Sequence, residues 1–270
     1  MTQTSATSPI STSLANQESQ HLHRPSLFKM ALEMRTFFEA GSFAFSFPML
    51  QAAPKGDGHP VLVLPGFLAS DFSTKLLRTF LKSRNYKPYG WSLGRNMGRH
   101  SHPETACGPA IIKRLHDIHQ WHGEKVTVIG WSLGGIYARE LSRLHPEMVR
   151  QVVTMGSPFC NNQRANHATK IFEKTSGYKL SDMCPILIKN MPLPPPVPST
   201  SFYSKSDGIT AWQCCVEQES EFTQNIEVVC SHMGYGHHPA VMWALANRLA
   251  QADGEWQPFE AKHIEKLIYK

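Results

Sequence analysis

Between residues 125 and 144 the chain passes through three patterns in immediate succession. They are the β-branched run Lys125-Val-Thr-Val-Ile129, the small-residue turn Gly130-Trp-Ser-Leu-Gly-Gly135, and a stretch to Leu144 whose apolar residues recur at helical spacing. β-Branched side chains fit a pleated surface, and steps of three and four residues line one face of a helix. The segment therefore reads as strand, tight turn, helix.

The same alternation runs along the chain from residue 59. Residues 59–65 (HPVLVLP) read as a buried strand, 72–84 as a helix, 86–91 as a weaker strand and 104–122 as a helix. Strands follow at 149–155, 200–204 and 226–230, and residues 239–250 make a last amphipathic helix. Short apolar runs alternating with amphipathic helices predict an α/β fold, a mainly parallel sheet flanked by helices. With 270 residues, one such domain is expected.

Residues 1–25 are rich in Ser, Thr, Gln and Asn and lack the basic start, apolar block and cleavage site of a secretory signal, so they read as a disordered leader. Residues 26–50 are rich in Phe, Met and Leu, but Lys29, Glu33, Arg35 and Glu39 interrupt them and Pro48 ends them; they cannot span a bilayer. Leu27, Met30, Ala31, Met34, Phe37 and Phe38 recur at three- and four-residue steps, and an amphipathic helix packed on the domain is preferred to membrane attachment. The domain itself is assigned to 51–270. Its regularity lapses at about 158–198, where a helix at 164–175 precedes Met191-Pro-Leu-Pro-Pro-Pro-Val-Pro198, and this insert is expected to cover the site as a small cap.

The six cysteines, at 107, 160, 184, 214, 215 and 230, form no C-x-x-C pair. Without an export signal a reducing, cytoplasmic setting is expected, and with it free thiols. The formal charge is +6, yet Lys and Arg are spread along the chain, so no nucleic-acid partner is expected.

The pattern G-x-S-x-G occurs twice, at Gly90-Trp-Ser-Leu-Gly94 and at Gly130-Trp-Ser-Leu-Gly134. A nucleophilic serine needs a sharp strand-to-helix turn that leaves its hydroxyl exposed, with small neighbours so that backbone segments pass closely. The second copy has that context. The first is left through Arg95-Asn-Met-Gly-Arg99, which suits a loop, so Ser132 is the candidate nucleophile and Ser92 a decoy.

A serine hydroxyl is a weak nucleophile at neutral pH. A histidine must take its proton and a carboxylate must hold that histidine in the right tautomer. Downstream of Ser132, Asp207 directly follows a strand, whereas Glu173 and Asp182 lie in the insert. His232 stands where the 226–230 strand ends, and His237 and His238 share its loop but abut Pro239; His232 is ranked first. The Phe67 N–H in the Pro65-Gly66-Phe67-Leu68 turn and the Leu133 N–H are the candidate oxyanion-hole donors.

With these residues in place, the chain resembles bacterial lipases and esterases of the α/β-hydrolase superfamily, over about residues 59–250. Four segments carry the resemblance: the first strand to Phe67, Val126–Gly135 around Ser132, Phe202-Tyr-Ser-Lys-Ser-Asp-Gly208, and Ser231-His-Met-Gly-Tyr-Gly-His-His-Pro-Ala-Val241. Small bacterial lipases of this kind have an apolar residue and a glycine after the catalytic histidine, as in His232-Met233-Gly234, and a Tyr-Ser pair before the acid, as in Tyr203-Ser204. Two features depart from the pattern: Pro65-Gly66 replaces the His-Gly of many members, and the smallest lipases lack the 158–198 insert.

The resemblance implies a serine hydrolase acting on a small-molecule ester, with no metal or organic cofactor. Apolar residues of the insert, Phe172, Tyr178, Leu187, Ile188 and Leu193, point to an apolar acyl group. Two alternatives stay open. One is an acyltransferase using the same three residues with an alcohol or amine acceptor, and the other is a non-catalytic binding protein that keeps the fold.

Overall fold

A computed structural model describes residues 24–160 and 168–269. The expected leader lies almost wholly outside the described residues, as does Arg164, the start of the helix expected in the insert.

Six strands, β1 (Pro60–Leu64), β2 (Lys87–Gly90), β5 (Val126–Trp131), β6 (Val149–Met155), β7 (Ser199–Tyr203) and β8 (Thr223–Glu227), form one sheet in the order β2-β1-β5-β6-β7-β8. Every neighbouring pair is parallel. The expected α/β fold with a mainly parallel sheet is therefore the observed one.

Successive side chains of a strand point to opposite faces, so a strand covered on both sides is apolar at every position. In β1, Val61 and Val63 join the core formed with Leu77, Phe80 and Leu81 of a helix at Lys75–Ser83 and with the helix Pro239–Leu249. Leu62 and Leu64 join the opposite core, formed with Ile111, Leu115 and Ile118 of the helix Pro109–His122 and with Tyr137, Ala138 and Leu141 of the helix Leu133–Leu144. These four side chains are fully buried.

The helix expected from residue 104 begins only at Pro109. Proline is pre-organised for a first helical turn and drives the residue before it into extended backbone, here Gly108 at ψ 167°. Residues ahead of it form the short antiparallel pair β3 (Ser101–His102) and β4 (Ala106–Cys107).

The N-terminal segment comprises α1 (Leu27–Ala31), a 3-10 turn (Leu32–Arg35) and α2 (Thr36–Leu50). It packs on the domain through the face opposite to the expected one. Glu33, Glu39, Phe43 and Leu50 are buried, while Leu27, Met30, Met34, Phe37 and Phe38 are exposed. The physical reason is polar: each glutamate finds backbone N–H donors in distant loops, described below.

The described part of the insert holds two α-helices, Thr169–Ser176 and Pro185–Asn190. Leu187 and Met191 pack with Phe159 and Ala106 as a satellite core. The buried Arg139 guanidinium donates to the Leu193 carbonyl at 2.7 Å and pairs with the buried Glu217 carboxylate at 2.7 Å, tying the end of the insert to the helix that follows β5. Leu193 itself is exposed.

Cys160 and Cys214 form a disulfide, whereas Cys107, Cys184, Cys215 and Cys230 are free thiols. The expectation of six free thiols is corrected at that pair, which a separation of 54 residues conceals in the sequence. Disulfides persist in oxidising compartments, so the bond leaves the cytoplasmic expectation without support from the cysteines. No helix among the described residues is long and apolar enough to cross a membrane.

Candidate active site

Because all six strands run the same way, the loops that leave β1, β5, β7 and β8 emerge at one edge of the sheet. Those loops carry Phe67, Ser132, Asp207 and His232.

Ser132 stands between β5 and the helix Leu133–Leu144 with φ 53° and ψ −120°. A non-glycine residue held there stores roughly 1–3 kcal/mol of strain, which the surrounding packing must sustain. The packing is close: a Cβ on Gly134 would stand 2.3 Å from the Leu64 carbonyl oxygen, so only glycine lets the helix start pass that near to β1. The Ser132 N–H donates to the Met155 carbonyl at 2.9 Å, fixing the turn to β6.

Ser92 also has a positive φ, of 61°. It follows the edge strand β2, however, no helix begins at it, and its N–H is tied at 3.0 Å to the Asp71 carboxylate. Ser132 lines the cavity described below and Ser92 does not.

Asp207 and His232 are both buried and face each other, with His232 Nδ1 2.7 Å from Asp207 Oδ2. The second carboxylate oxygen, Oδ1, accepts the N–H groups of Ile209 and Thr210 at 2.8 Å each, which fixes the carboxylate plane. Ser204 stitches the two loops together: its hydroxyl donates to the Cys230 carbonyl at 2.8 Å and accepts the Cys230 N–H at 3.3 Å. The residue before the serine reaches the histidine as well, because the Trp131 indole N–H donates to the His232 carbonyl at 3.0 Å.

Burial opposes a charge on the His232 imidazole. The Asp207 charge and hydrogen bond, with a contribution from Glu33, outweigh it and hold the pKa above the ordinary histidine value. The competing histidines are engaged elsewhere. His237 Nε2 contacts the Thr36 hydroxyl and carbonyl oxygens at 3.1 and 3.2 Å, and burial pushes its pKa down. His238 caps the last helix by accepting the Ala240 N–H. In the insert, Asp182 accepts the Lys179 N–H and Glu173 the Leu180 N–H.

A Cβ on Gly66 would stand 3.1 Å from the Ser132 Cβ, so the Pro65–Phe67 turn lies directly against the candidate nucleophile. The Phe67 and Leu133 N–H groups donate to no backbone acceptor among the described residues. Phe67, Ser132 and Leu133 all line a cavity of about 130 Å³. Its walls are mostly apolar, with Ile136 from the helix after Ser132, Phe172, Met183, Ile188 and Met191 from the insert, and Ile209 from the acid loop. The Phe67 ring meets the Phe172 ring edge-on at 5.8 Å, joining the β1 turn to the insert. Of the five insert residues expected in an acyl pocket, Phe172, Tyr178 and Ile188 line the cavity, while Leu187 packs beneath it and Leu193 faces outward.

The sequence reading missed the carboxylates beneath the site. Glu33 Oε1 accepts the Gly208 N–H at 2.8 Å and the His232 N–H at 3.0 Å, and Oε2 accepts the Met233 N–H at 3.0 Å. Glu39 accepts the Ser231 N–H at 2.8 Å and the Ser231 hydroxyl. Arg35, which pairs with Glu39, also donates to the Ser206 carbonyl at 2.9 Å and to the Ser206 hydroxyl at 2.8 Å. Hydrogen bonds to a charged acceptor contribute about 1.5–3 kcal/mol each, so this clamp is a large fraction of what orders both loops. The available signal was the pair of acids set in a segment otherwise rich in phenylalanine.

No family model matches the sequence, and no curated protein sequence matches it. Solved structures do resemble the fold. Aspergillus fumigatus lipase B superposes with a TM-score of 0.54 at 14% identity, covering 73% of this chain and 54% of the lipase; the chain thus spans about half the length of that protein. A variant of the N-acyl homoserine lactonase AidH, complexed with N-hexanoyl homoserine, superposes with a TM-score of 0.51 at 14% identity, covering 77% of this chain and 94% of the lactonase. At such identities the likeness is one of architecture, and it agrees with the parallel sheet: the chain has the α/β-hydrolase fold.

Proposed function

We propose that the chain is a serine hydrolase that cleaves carboxylic esters through an acyl-enzyme on Ser132. The observation that carries this reading is a serine held at positive φ after a central strand, lining an apolar cavity, at the sheet edge where a buried carboxylate and histidine are paired at 2.7 Å.

His232 takes the Ser132 proton as the hydroxyl attacks the ester carbonyl, and Asp207 holds the imidazole with Nδ1–H toward itself, so that Nε2 is the basic nitrogen. Negative charge then develops on the carbonyl oxygen, where the Phe67 and Leu133 N–H groups stabilise it. His232 returns the proton to the leaving alcohol. Water, deprotonated by the same imidazole, releases the acid and restores Ser132. The apolar walls favour an apolar acyl group, and the lactonase of like fold is complexed with N-hexanoyl homoserine, which carries such a chain.

A fluorophosphonate probe tests the reading. Ser132→Ala abolishes labelling and Ser92→Ala leaves it intact; labelling that survives Ser132→Ala overturns the assignment. Turnover of p-nitrophenyl esters that yields only free acid at every concentration of added alcohol rules out the acyltransferase alternative.

A further inference from the structure

The N-terminal segment is amphipathic in an inverted sense. Its two acids, Glu33 and Glu39, are turned into the protein, while Phe28, Met34, Phe37, Phe38, Phe45 and Met49 face solvent, with Phe38 82% and Phe45 90% exposed. A phenylalanine offers 150–250 Å² of apolar surface, and contiguous exposed patches of several hundred Å² mark binding faces. With both acids inward, the segment's outer charges are positive: Arg24 at its start and Lys55 just past its end are exposed, and the half-buried Lys29 donates to the Lys205 carbonyl with no acid partner among the described residues. The whole chain carries a formal charge of +6.

We propose that this face docks the protein on an anionic lipid surface, with Phe38 and Phe45 entering the headgroup–acyl boundary and the flanking cations meeting the headgroups. An interfacial helix has this composition, one apolar face bordered by Lys and Arg. A second copy of the chain fits less well, because it brings the same positive charges to the contact and supplies no complementary negative ones from this segment. Docking in this way sets the sheet edge bearing Asp207 and His232 toward the lipid, since the opposite face of the same segment grips their loops. The proposal does not depend on the chain being a hydrolase.

Cosedimentation of the full chain with vesicles tests it. Binding is expected to vesicles of phosphatidylcholine mixed with phosphatidylglycerol, to be weaker to phosphatidylcholine alone, and to weaken as salt screens the cations. The double variant Phe38→Ser/Phe45→Ser is expected to bind at least about 100-fold more weakly, since each buried ring contributes about tenfold or more. Both side chains are exposed, so circular dichroism and thermal melting of that variant match the wild type. Failure of the wild type to bind the mixed vesicles, or equal binding by the double variant, overturns the proposal. So does a solution dimer that the double substitution dissociates, which gives the face to a second copy. Binding that appears only after residues 1–23 are removed gives it to that segment instead.

Discussion

A single carboxylate joins the two halves of the candidate catalytic pair: Glu33 Oε1 accepts the backbone N–H of His232 at 3.0 Å while also holding that of Gly208, the neighbour of Asp207, at 2.8 Å. A Cβ on Gly208 would stand 2.2 Å from the Lys29 carbonyl oxygen, so the acid loop is fitted to the N-terminal segment as closely as backbone allows. Glu33→Gln replaces one oxygen with a donor and leaves a buried N–H unmatched, at a cost of about 1–3 kcal/mol in chemical denaturation. It also removes a negative charge that helps hold the His232 pKa up. The folded-state pKa then falls, the base becomes neutral at lower pH, and the acidic limb of kcat/KM moves down. Glu33→Asp keeps the charge and is expected to keep the limb near its wild-type position. A limb that does not move in Glu33→Gln would reduce Glu33 to a purely structural role.

The raised His232 pKa makes a statement about the wild type as well. The base must be neutral to accept the Ser132 proton, so kcat/KM for a p-nitrophenyl ester should rise with pH along a limb centred above the ordinary histidine value of about 6.5. The direction follows because burial, which favours the neutral ring, is outweighed by Asp207. A limb centred below that value would mean that a histidine pushed down by burial, such as His237, is the base.

Asp207→Asn separates orientation from folding. Asparagine retains an oxygen that can cap Ile209 and Thr210, so thermal stability is expected to hold, but its amide faces His232 Nδ1 and forces the wrong tautomer. We expect kcat to fall roughly 10³- to 10⁴-fold with KM nearly unchanged. Glu33 offers no rescue, since its oxygens are engaged by three backbone N–H groups.

The Cys160–Cys214 bond closes 54 residues, and cross-linking a loop of that length is worth about 4 kcal/mol in chain entropy. Cys160→Ala/Cys214→Ala should lower the free energy of unfolding by about 2–4 kcal/mol, and a reducing agent should bring the wild type to the same denaturant midpoint. A midpoint indifferent to both would show that the packing of the insert, through Leu187, Met191 and Arg139, suffices without the bond.

Local patterns made much of the fold legible. The continuous apolar run of β1 and the β-branched run before Ser132 are signatures of strands buried on both faces, and Val149–Met155 falls where the sequence places it. What escaped depends on partners far along the chain. Hydrophobic spacing places Met34 and Phe38 against the domain, but the N–H groups of Gly208, Ser231 and His232 lie more than a hundred residues away and draw Glu33 and Glu39 inward instead. The helix start at Pro109 was readable from proline stereochemistry, whereas the β3–β4 pair before it has too few residues to show a period. The pairing of Asp207 with His232 was ranked by order and resemblance alone; the geometry sets the two side chains face to face and engages His237 with Thr36.

In the proposed reaction the cavity limits the acyl group, which a chain-length profile would read. Each buried CH₂ contributes about 0.8 kcal/mol, so kcat/KM for p-nitrophenyl esters should climb about fourfold per methylene while the chain still fits and stop climbing once the cavity of about 130 Å³ is filled. Ile136 lines that cavity one helical turn beyond Ser132, so Ile136→Trp occupies acyl space without touching Ser132, Asp207 or His232. The variant is expected to cleave the acetate at close to the wild-type rate and to lose the climb at a shorter chain. The converse substitution, Met191→Ala, removes side-chain volume from the lining and should extend the climb. If neither variant shifts the profile while both remain folded, the acyl chain lies outside this cavity, and the apolar walls serve packing rather than selection.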